Sequence, residues 1–194
     1  KFSSPDISYR EFFSAAKVLA SGWLTTGQKV KDFEKATKNY LNLDNTKHAI
    51  AVNSATAGLH LSLEAIGLKE NDEVITTVLT FTATAEVIRY FGANPVFCDI
   101  NPNTLNIDLE KAESLITSKT KAILPVHFAG NSCDIDHLLY LKEKYGIYVI
   151  EDAAHSFSSK YKDRPIGSHG LDSTVFSFYA NKTITSGGEG GMII

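Results

Sequence analysis

The chain has 194 residues, of which 43% are hydrophobic and 21% charged, and its formal net charge is −3. This length can bury a substantial core and predicts one domain with at most a small appendage, with the composition of an ordinary soluble globular protein. The weak negative charge, with Lys and Arg scattered along the chain, gives no electrostatic basis for binding nucleic acid. No apolar run approaches the roughly 20 residues that cross a bilayer.

The cysteines and the ends of the chain bear on its compartment. Cys98 and Cys133 are too few for a disulfide framework and predict buried or half-buried free thiols in a reducing environment. Residues 1–5 lack the apolar core of a signal peptide, so we expect a cytoplasmic protein. The chain has no initiating Met and stops within the apolar run 192–194, so we expect a truncated or cleaved part of a longer chain.

Two amphipathic helices are predicted in the first forty residues, separated by a break at residues 21–27. We expect residues 1–40 to form a helical segment that packs on a larger domain at residues 41–194. The apolar positions that define the two helices are Ile7, Phe12, Phe13 and Ala16 before the break and Val30, Phe33 and Tyr40 after it.

From residue 48 onward, predicted strands and helices alternate. Strands are predicted at residues 48–52, 73–77, 95–100, 121–127, 147–151 and 174–178, with a further strand-like run at 192–194 and a hairpin at 161–167. Helices are predicted at residues 55–66, 82–91, 108–116 and 134–145. The alternation predicts an α/β domain with a mostly parallel sheet flanked by helices on both faces. Ligands of such sheets bind at the carboxyl ends of the strands.

The first of three unusual strand ends is the small-residue turn at residues 52–58. It opens a helix, so free backbone N–H groups and the helix dipole favour an anion there. The hydroxyl groups of Ser54 and Thr56 add possible donors. The turn therefore suits a phosphate group, although simple helix capping by Asn53 or Ser54 also explains it.

The second strand end carries two acids, Glu151 and Asp152, directly after an apolar run. Asp152 is expected at the end of a central strand, where a buried carboxylate needs a cation or a strong donor. A protonated pyridine nitrogen is one such partner. Capping of the following turn is the alternative explanation for Asp152.

The third strand end places Lys182 between an aromatic strand and the glycine-rich stretch 187–191. Glycine lets the backbone approach a ligand closely, and apolar surroundings make a lysine more nucleophilic. A solvated loop lysine is the alternative. Together, an amine, a buried acid and an anion pocket are the groups that pyridoxal 5'-phosphate (PLP) requires.

With these motifs, the chain resembles the DegT/DnrJ/EryC1/StrS family of PLP-dependent nucleotide-sugar aminotransferases, which have the fold-type I architecture. The resemblance runs from about Ser21 to the last residue. The matching stretches are SGWLTTG at 21–27, NSATAGLHL at 53–61, TFTATAE at 80–86, GANPVFCDI at 92–100, PVHFAG at 125–130, EDAAHS at 151–156, FSFYANK at 176–182 and GGEGGM at 187–192.

The resemblance implies a role for each matching site residue. Lys182 corresponds to the lysine that binds the cofactor covalently, and Asp152 to the acid that keeps the pyridine nitrogen protonated; these two are the predicted catalytic residues. His155 corresponds to the residue beside the phenolic oxygen, and Phe81 to the ring that stacks on the cofactor; a surface turn and core packing are the respective alternatives. The predicted phosphate anchors are Ser54, Ala55 through its backbone, Thr56 and Ser177. The predicted substrate-binding residues are Thr25, Thr26, Gly27 and Tyr179.

Three departures from the family pattern bear on these roles. The family often has Pro where Val78 or Leu79 stands, so the loop that carries Phe81 is expected to differ. It often has His at the position of Tyr179. Its chains are roughly twice as long, so the C-terminal small domain is expected to be missing here.

The resemblance implies transfer of an amino group, from L-glutamate, to a nucleotide-linked keto sugar by a homodimer in amino-sugar or surface-polysaccharide biosynthesis. The ending at residues 183–191 resembles that of family members acting on 4-keto sugars more than that of members acting on 3-keto sugars, so the resemblance implies a 4-keto substrate. One alternative is a sugar dehydratase relative, against which Lys182 argues because those enzymes replace the lysine. Another is a non-catalytic fragment that binds PLP. A doubly wound nucleotide-binding domain would need a Gly-x-Gly-x-x-Gly turn, which residues 53–56 do not provide. No metal site is predicted.

Overall fold

The computed structural model describes residues 4–194, in which helices and strands alternate as predicted. The helices are α1 (Tyr9–Ser21), α2 (Gln28–Tyr40), α3 (Ala55–Ala65), α4 (Thr82–Arg89), α5 (Leu109–Ser114) and α6 (Ile135–Tyr145), with a short 3-10 turn at Phe128–Gly130. The strands are β1 (Ile50–Val52), β2 (Glu73–Thr77), β3 (Asn94–Cys98), β4 (Thr120–Leu124), β5 (Tyr148–Asp152), β6 (Lys160–Tyr161), β7 (Arg164–Pro165), β8 (Ser173–Ser177) and β9 (Gly191–Ile193).

Side-chain caps begin several helices where the sequence predicts them. Ser54 accepts a hydrogen bond from the N–H of Ala57, and Asp108 and Asp134 cap α5 and α6 in the same way. The helix α6 ends at Gly146, whose φ of 65° lies in the left-handed region that glycine adopts most readily. These local signals explain why the predicted helix starts are confirmed.

Seven strands form one sheet in the order β1-β9-β8-β5-β4-β2-β3, and β6 and β7 form the predicted hairpin. Neighbouring strands run parallel except at β9, which is antiparallel to both β1 and β8. The predicted mostly parallel α/β sheet is therefore confirmed, with one antiparallel strand inside it. The strand β5 is fourth of the seven and central, as expected.

One predicted strand is shorter than expected. The sequence predicts a strand over 121–127, whereas β4 ends at Leu124. Pro125 has no N–H to donate to a ladder, so the regular pairing stops there. Its carbonyl still accepts a hydrogen bond from the N–H of Asp152, at 2.9 Å, and Val126 forms an isolated parallel bridge with Asp152. The chain thus stays beside β5 for two more residues.

Helices cover both faces of the sheet over two apolar clusters. The helices α3 and α4 cover a cluster formed by residues such as Leu59, Leu63, Val87, Leu124, Ile150 and Val175. The opposite face packs against α5 and α6 through residues such as Ala112, Ile123, Leu138, Val149, Ala153 and Phe176. Cys98 and Cys133 are buried free thiols, as predicted, and burial raises the pKa of Cys98 to about 11.

The two N-terminal helices differ in their packing. The ring of Phe33 on α2 meets that of Phe178 edge to face at 5.0 Å, and the Glu34 carboxylate accepts a hydrogen bond from the N–H of Ala51. No residue of α1 is buried, and Phe12 and Phe13 are exposed. The α2 half of the predicted N-terminal segment therefore lies against the domain, while α1 keeps an exposed apolar face. Within residues 4–194, no helix is long and apolar enough to cross a membrane.

Gly191 on β9 lies directly against the turn that opens α3. A Cβ atom at this position would lie 2.7 Å from the carbonyl carbon of Ser54 and 2.8 Å from the nitrogen of Ala55. Backbone atoms cannot move aside as a flexible side chain can. The turn and β9 are therefore in closer contact than any residue other than glycine allows.

We expect Gly191→Ala to lower the free energy of unfolding by about 1–3 kcal/mol, because overpacking forces the backbone to shift. Urea unfolding measures this change. Gly146→Ala is the control, because no atom lies within 4 Å of its added Cβ and only the left-handed backbone is strained. In the mutant at 191, but not in the control, the amide resonances of Ser54 and Ala55 should shift. Unchanged resonances there would contradict the proposed contact.

Candidate active site

A cavity of about 490 Å³ lies at the carboxyl ends of β5 and β8 and beside the first turns of α3 and α4. A volume of this size lies in the range of small-molecule and cofactor sites. The residues that line it are Ser54, Ala55, Thr56, Leu59, Leu79, Thr80, Phe81, Ala83, Val126, Phe128, Asp152, Ala154, His155, Ser177, Tyr179, Asn181, Lys182 and Glu189. All eight predicted cofactor-binding residues are among them.

Asp152 stands at the end of the central strand, and only 5% of its surface is exposed. The Thr84 hydroxyl donates to Oδ2 at 2.7 Å, and the N–H of Ala154 donates to Oδ1 at 3.1 Å. No Lys, Arg or His among residues 4–194 forms an ion pair with this carboxylate. A buried carboxylate held by two neutral donors fits a cationic ligand group such as a protonated ring nitrogen.

Lys182 lies in the turn that follows β8 and is half-buried. Its N–H donates to the carbonyl of Tyr179 at 3.0 Å, which fixes the turn. Burial lowers the pKa of Lys182, and the nearby Asp152 carboxylate opposes this shift. The lowered pKa increases the fraction of free amine, the form that attacks carbonyl compounds.

The first turn of α3 faces the cavity with Ser54, Ala55 and Thr56. The capping bond takes the N–H of Ala57, and the first N–H groups of a helix have no acceptor within the helix. Ser177 at the end of β8 is buried and lines the same region. Backbone N–H groups, hydroxyl groups and the helix dipole together fit a phosphate group.

Phe81 and His155 lie at the mouth of the cavity. The Phe81 ring is 76% exposed, so core packing, the alternative explanation for this residue, is wrong. The His155 Nδ1 accepts a hydrogen bond from the N–H of Ala129 at 3.3 Å, which places the ring proton on Nε2. Burial lowers the pKa of His155, and the charge of Lys182 lowers it further. A neutral ring with a free N–H fits a partner that accepts a hydrogen bond.

The predicted substrate-binding residues fall in two places. Tyr179 lines the cavity and is exposed. Thr25, Thr26 and Gly27 lie in the turn between α1 and α2, outside the lining, and the indole N–H of Trp23 donates to the carbonyl of Thr26. Their role in binding substrate therefore stays a prediction.

The sequence analysis missed the hydroxyl pair that holds Asp152. Thr80 and Thr84 lie 2.6 Å apart between their hydroxyl oxygens, and Thr84 is fully buried. Thr84 lies on α4 next to the apolar positions Ala83 and Val87, and Thr80 lies just before the helix; a polar residue among buried apolar neighbours is their signal in the sequence. No cluster of three or more His, Cys, Asp or Glu residues in the described part of the chain is arranged to hold a metal ion.

Comparison with protein families agrees with this arrangement of residues. The model of the DegT/DnrJ/EryC1/StrS aminotransferase family matches residues 5–194. The chain belongs to this family.

Curated relatives match over almost the whole chain. The spore coat polysaccharide biosynthesis protein SpsC of Bacillus subtilis is 50% identical over 192 residues, which are 99% of this chain and 48% of SpsC. The uncharacterized protein MJ1066 of Methanocaldococcus jannaschii is 50% identical over 97% of this chain and 48% of its own. The chain thus spans about half the length of the curated relatives it matches.

Solved structures share the fold of this chain, which covers about half or less of each of them. An aminotransferase from Psychrobacter cryohalolentis is 37% identical with a TM-score of 0.92, covering 98% of this chain and 48% of that one. Streptococcus pneumoniae Spr1654 in its PLP form is 38% identical with a TM-score of 0.93, covering 99% and 52%. NtdA of Bacillus subtilis with bound cofactor PMP is 34% identical with a TM-score of 0.87, covering 94% and 40%. The chain is therefore part of a fold-type I domain.

The lowered pKa of Lys182 predicts selective labelling. We expect an amine-acylating reagent to modify Lys182 at a lower pH, and severalfold faster at pH 8, than Lys144, whose pKa is raised by Glu113. Asp152→Asn should increase the rate at Lys182 further, because the carboxylate opposes the shift. Mass spectrometry of labelled peptides measures both rates. Equal labelling of the two lysines would contradict the assigned environment.

Proposed function

We propose that this chain forms the cofactor-binding part of a PLP-dependent aminotransferase that acts on a nucleotide-linked keto sugar. The observation that carries the proposal is that three groups line one cavity: a buried carboxylate that forms no ion pair with residues 4–194, a half-buried lysine of lowered pKa, and a helix N-terminus. The family match and the PLP and PMP forms of the solved relatives support it. The name of SpsC supports a sugar substrate from polysaccharide biosynthesis.

The lining residues suit each part of the cofactor. Asp152 would hold the protonated ring nitrogen, and the first turn of α3 with Ser177 would hold the phosphate. The exposed ring of Phe81 is free to stack on the ring face, and His155 has an N–H to offer the phenolic oxygen. When bound, PLP supplies an electron sink for the carbanion formed at the substrate carbon.

Residues of the chain would carry out the covalent binding and the proton transfers. Lys182, partly in its free amine form, would bind the cofactor covalently until an amino donor displaces it. The released amine is then placed to take a proton from one substrate carbon and return it to another atom. Asp152 keeps the proton on the ring nitrogen, and the donors Thr84 and Ala154 hold its carboxylate in place for that purpose.

Finer assignments belong to the same proposal. We infer L-glutamate as donor and a 4-keto sugar as acceptor, with Tyr179 and the 25–27 turn as contacts for substrate. Phe81 and Tyr179 line the cavity and are exposed, so a homodimer whose second subunit covers them and completes the site fits this geometry. The two free buried thiols fit a cytoplasmic location.

A direct test is covalent binding of PLP to Lys182. We expect added PLP to give the visible absorbance band of a lysine-linked cofactor, because the amine is activated and the phosphate site is formed. Borohydride should abolish the band and leave the added mass on the peptide that contains Lys182. Lys182→Ala should give no band, whereas Lys144→Ala, which lies outside the cavity, should bind normally. L-glutamate should remove the band in the wild-type protein; a stable band would favour a non-catalytic PLP-binding protein.

Asp152→Ala should separate cofactor binding from reactivity. We expect the variant still to show the visible band of bound PLP. Glutamate should remove that band at least about a hundredfold more slowly, because the carboxylate that would keep the ring nitrogen protonated is gone. Stopped-flow absorbance measures this rate. Ser177→Ala is the matched control: loss of one phosphate contact should weaken PLP affinity about tenfold and leave the rate at saturation unchanged. A normal rate in Asp152→Ala would overturn the role of this residue.

A further inference from the structure

A buried polar cluster lies on the sheet face opposite the cavity. His127, Glu151 and Thr174 form it, and His127 and Glu151 are 0% and 1% exposed. Side chains alternate along a strand, so Glu151 points away from the face that its neighbour Asp152 occupies. Val149 and Ala153, two residues before and two residues after Glu151, point to the same side and belong to the apolar cluster of that opposite face.

The hydrogen bonds of this His127–Glu151–Thr174 cluster fix its protonation. The N–H of Cys133 donates to His127 Nδ1 at 3.0 Å, so the ring proton lies on Nε2. That N–H donates to Glu151 Oε1 at 2.9 Å. The Thr174 hydroxyl donates to Oε2 of the same carboxylate. Both carboxylate oxygens are satisfied, and the cluster joins the segment after β4, the strand β5 and the strand β8.

Stability alone does not account for the cluster. Burying a carboxylate carries a desolvation cost that its partners do not fully return, and apolar replacements of buried polar pairs often leave a protein as stable or more so. The surrounding face is apolar, with Ile123 and Val149 from neighbouring strands. A polar group in this place is best explained by the geometry that its directional bonds impose.

The imposed geometry concerns the backbone of Asp152. Its N–H donates to the carbonyl of Pro125 at 2.9 Å, and its carbonyl accepts from the N–H of His127 at 3.1 Å. His127 therefore holds this strand end twice, through its backbone at residue 152 and through its ring at residue 151. On the other side, Glu151 pairs with Thr174 in the ladder to β8 as well as through its side chain.

We propose that His127 and Glu151 are positioning residues that fix the strand end carrying Asp152, and so aim its carboxylate into the cavity. This inference rests on the proposed function, because it assigns to the pair a role toward the ring nitrogen that Asp152 would hold. Neither residue lines the cavity. Their effect passes through the backbone of β5, to which the N–H of His127 is bonded at Asp152.

The test compares two substitutions at residue 151. Glu151→Leu leaves the His127 N–H and the Thr174 hydroxyl without a partner. It should weaken PLP binding about 10- to 100-fold, as loss of an orienting partner does at other sites. Glu151→Gln keeps an oxygen for His127 and offers an N–H to Thr174, whose hydroxyl can accept it. The Gln variant should therefore bind PLP within about threefold of the wild-type protein.

A second readout needs no cofactor. Amide hydrogen exchange in the PLP-free protein should speed up at least about tenfold at Asp152 and His127 in Glu151→Leu, relative to Val149, because opening of the strand end becomes easier. Leu138→Ala is the matched control, since it removes a buried side chain of α6 from the apolar cluster that covers the same sheet face. It should lower stability without changing the relative exchange rates or, in folded protein, the PLP affinity.

Each outcome decides the proposal. Wild-type affinity and exchange in Glu151→Leu would overturn it, and so would an equal loss of affinity in Leu138→Ala, which would make the role merely structural. A Gln variant as impaired as the Leu variant would overturn positioning by hydrogen bonds. If the wild-type protein forms no lysine-linked cofactor, the proposed function fails, and the exchange rates at Asp152 and His127 alone decide the positioning role.

Discussion

The burial of one carboxylate is the constraint on which the rest of the site depends. Asp152 ends the central strand, and its two hydrogen-bond donors, Thr84 and Ala154, are neutral. A charge in this position is tolerated when a cation meets it or when strong donors surround it. The cavity beside it is where such a cation can enter. The helices α3 and α4 and the turn after β8 surround this cavity, so they define the space that a cation beside Asp152 would occupy.

Close contacts at two glycine residues fix the position of α3 relative to the sheet. A Cβ atom on Gly58 would lie 2.6 Å from Val175, so α3 packs on β8 at a distance that only glycine permits. The contact of Gly191 with the Ser54–Ala55 turn fixes the same end of this helix from the side of β9. The anion-binding turn is therefore held to the sheet by contacts that leave no room for a side chain at either glycine. A phosphate placed there has a defined distance to the groups at the ends of β5 and β8.

The sequence predicts those parts of the site that depend on local pattern. Asp152 and Lys182 were found because each follows an apolar strand, and strand ends meet at one edge of a parallel sheet. The sequence gives no indication that Thr84 holds Asp152, because the two residues are far apart along the chain, and the pattern around His127 predicts only a strand. The antiparallel direction of β9 was also beyond prediction, since pairing with β1 and β8 is decided by tertiary packing. The turn at residues 25–27 differs from these sites, because it matches a family motif but its residues do not line the cavity.

The position of β9 between β1 and β8 has a consequence for the order of folding. The strand β1 is made early, yet its partner in the sheet is the last strand of the series. Pairing that spans so much of the chain closes a large loop and is slow compared with local contacts. The parallel strands β2, β3, β4, β5 and β8 can pair with one another before β9 is added, whereas β1 joins the sheet only through β9. The turn at Ser54–Ala55, which β9 contacts through Gly191, would therefore reach its final position only after β9 has paired with its neighbours.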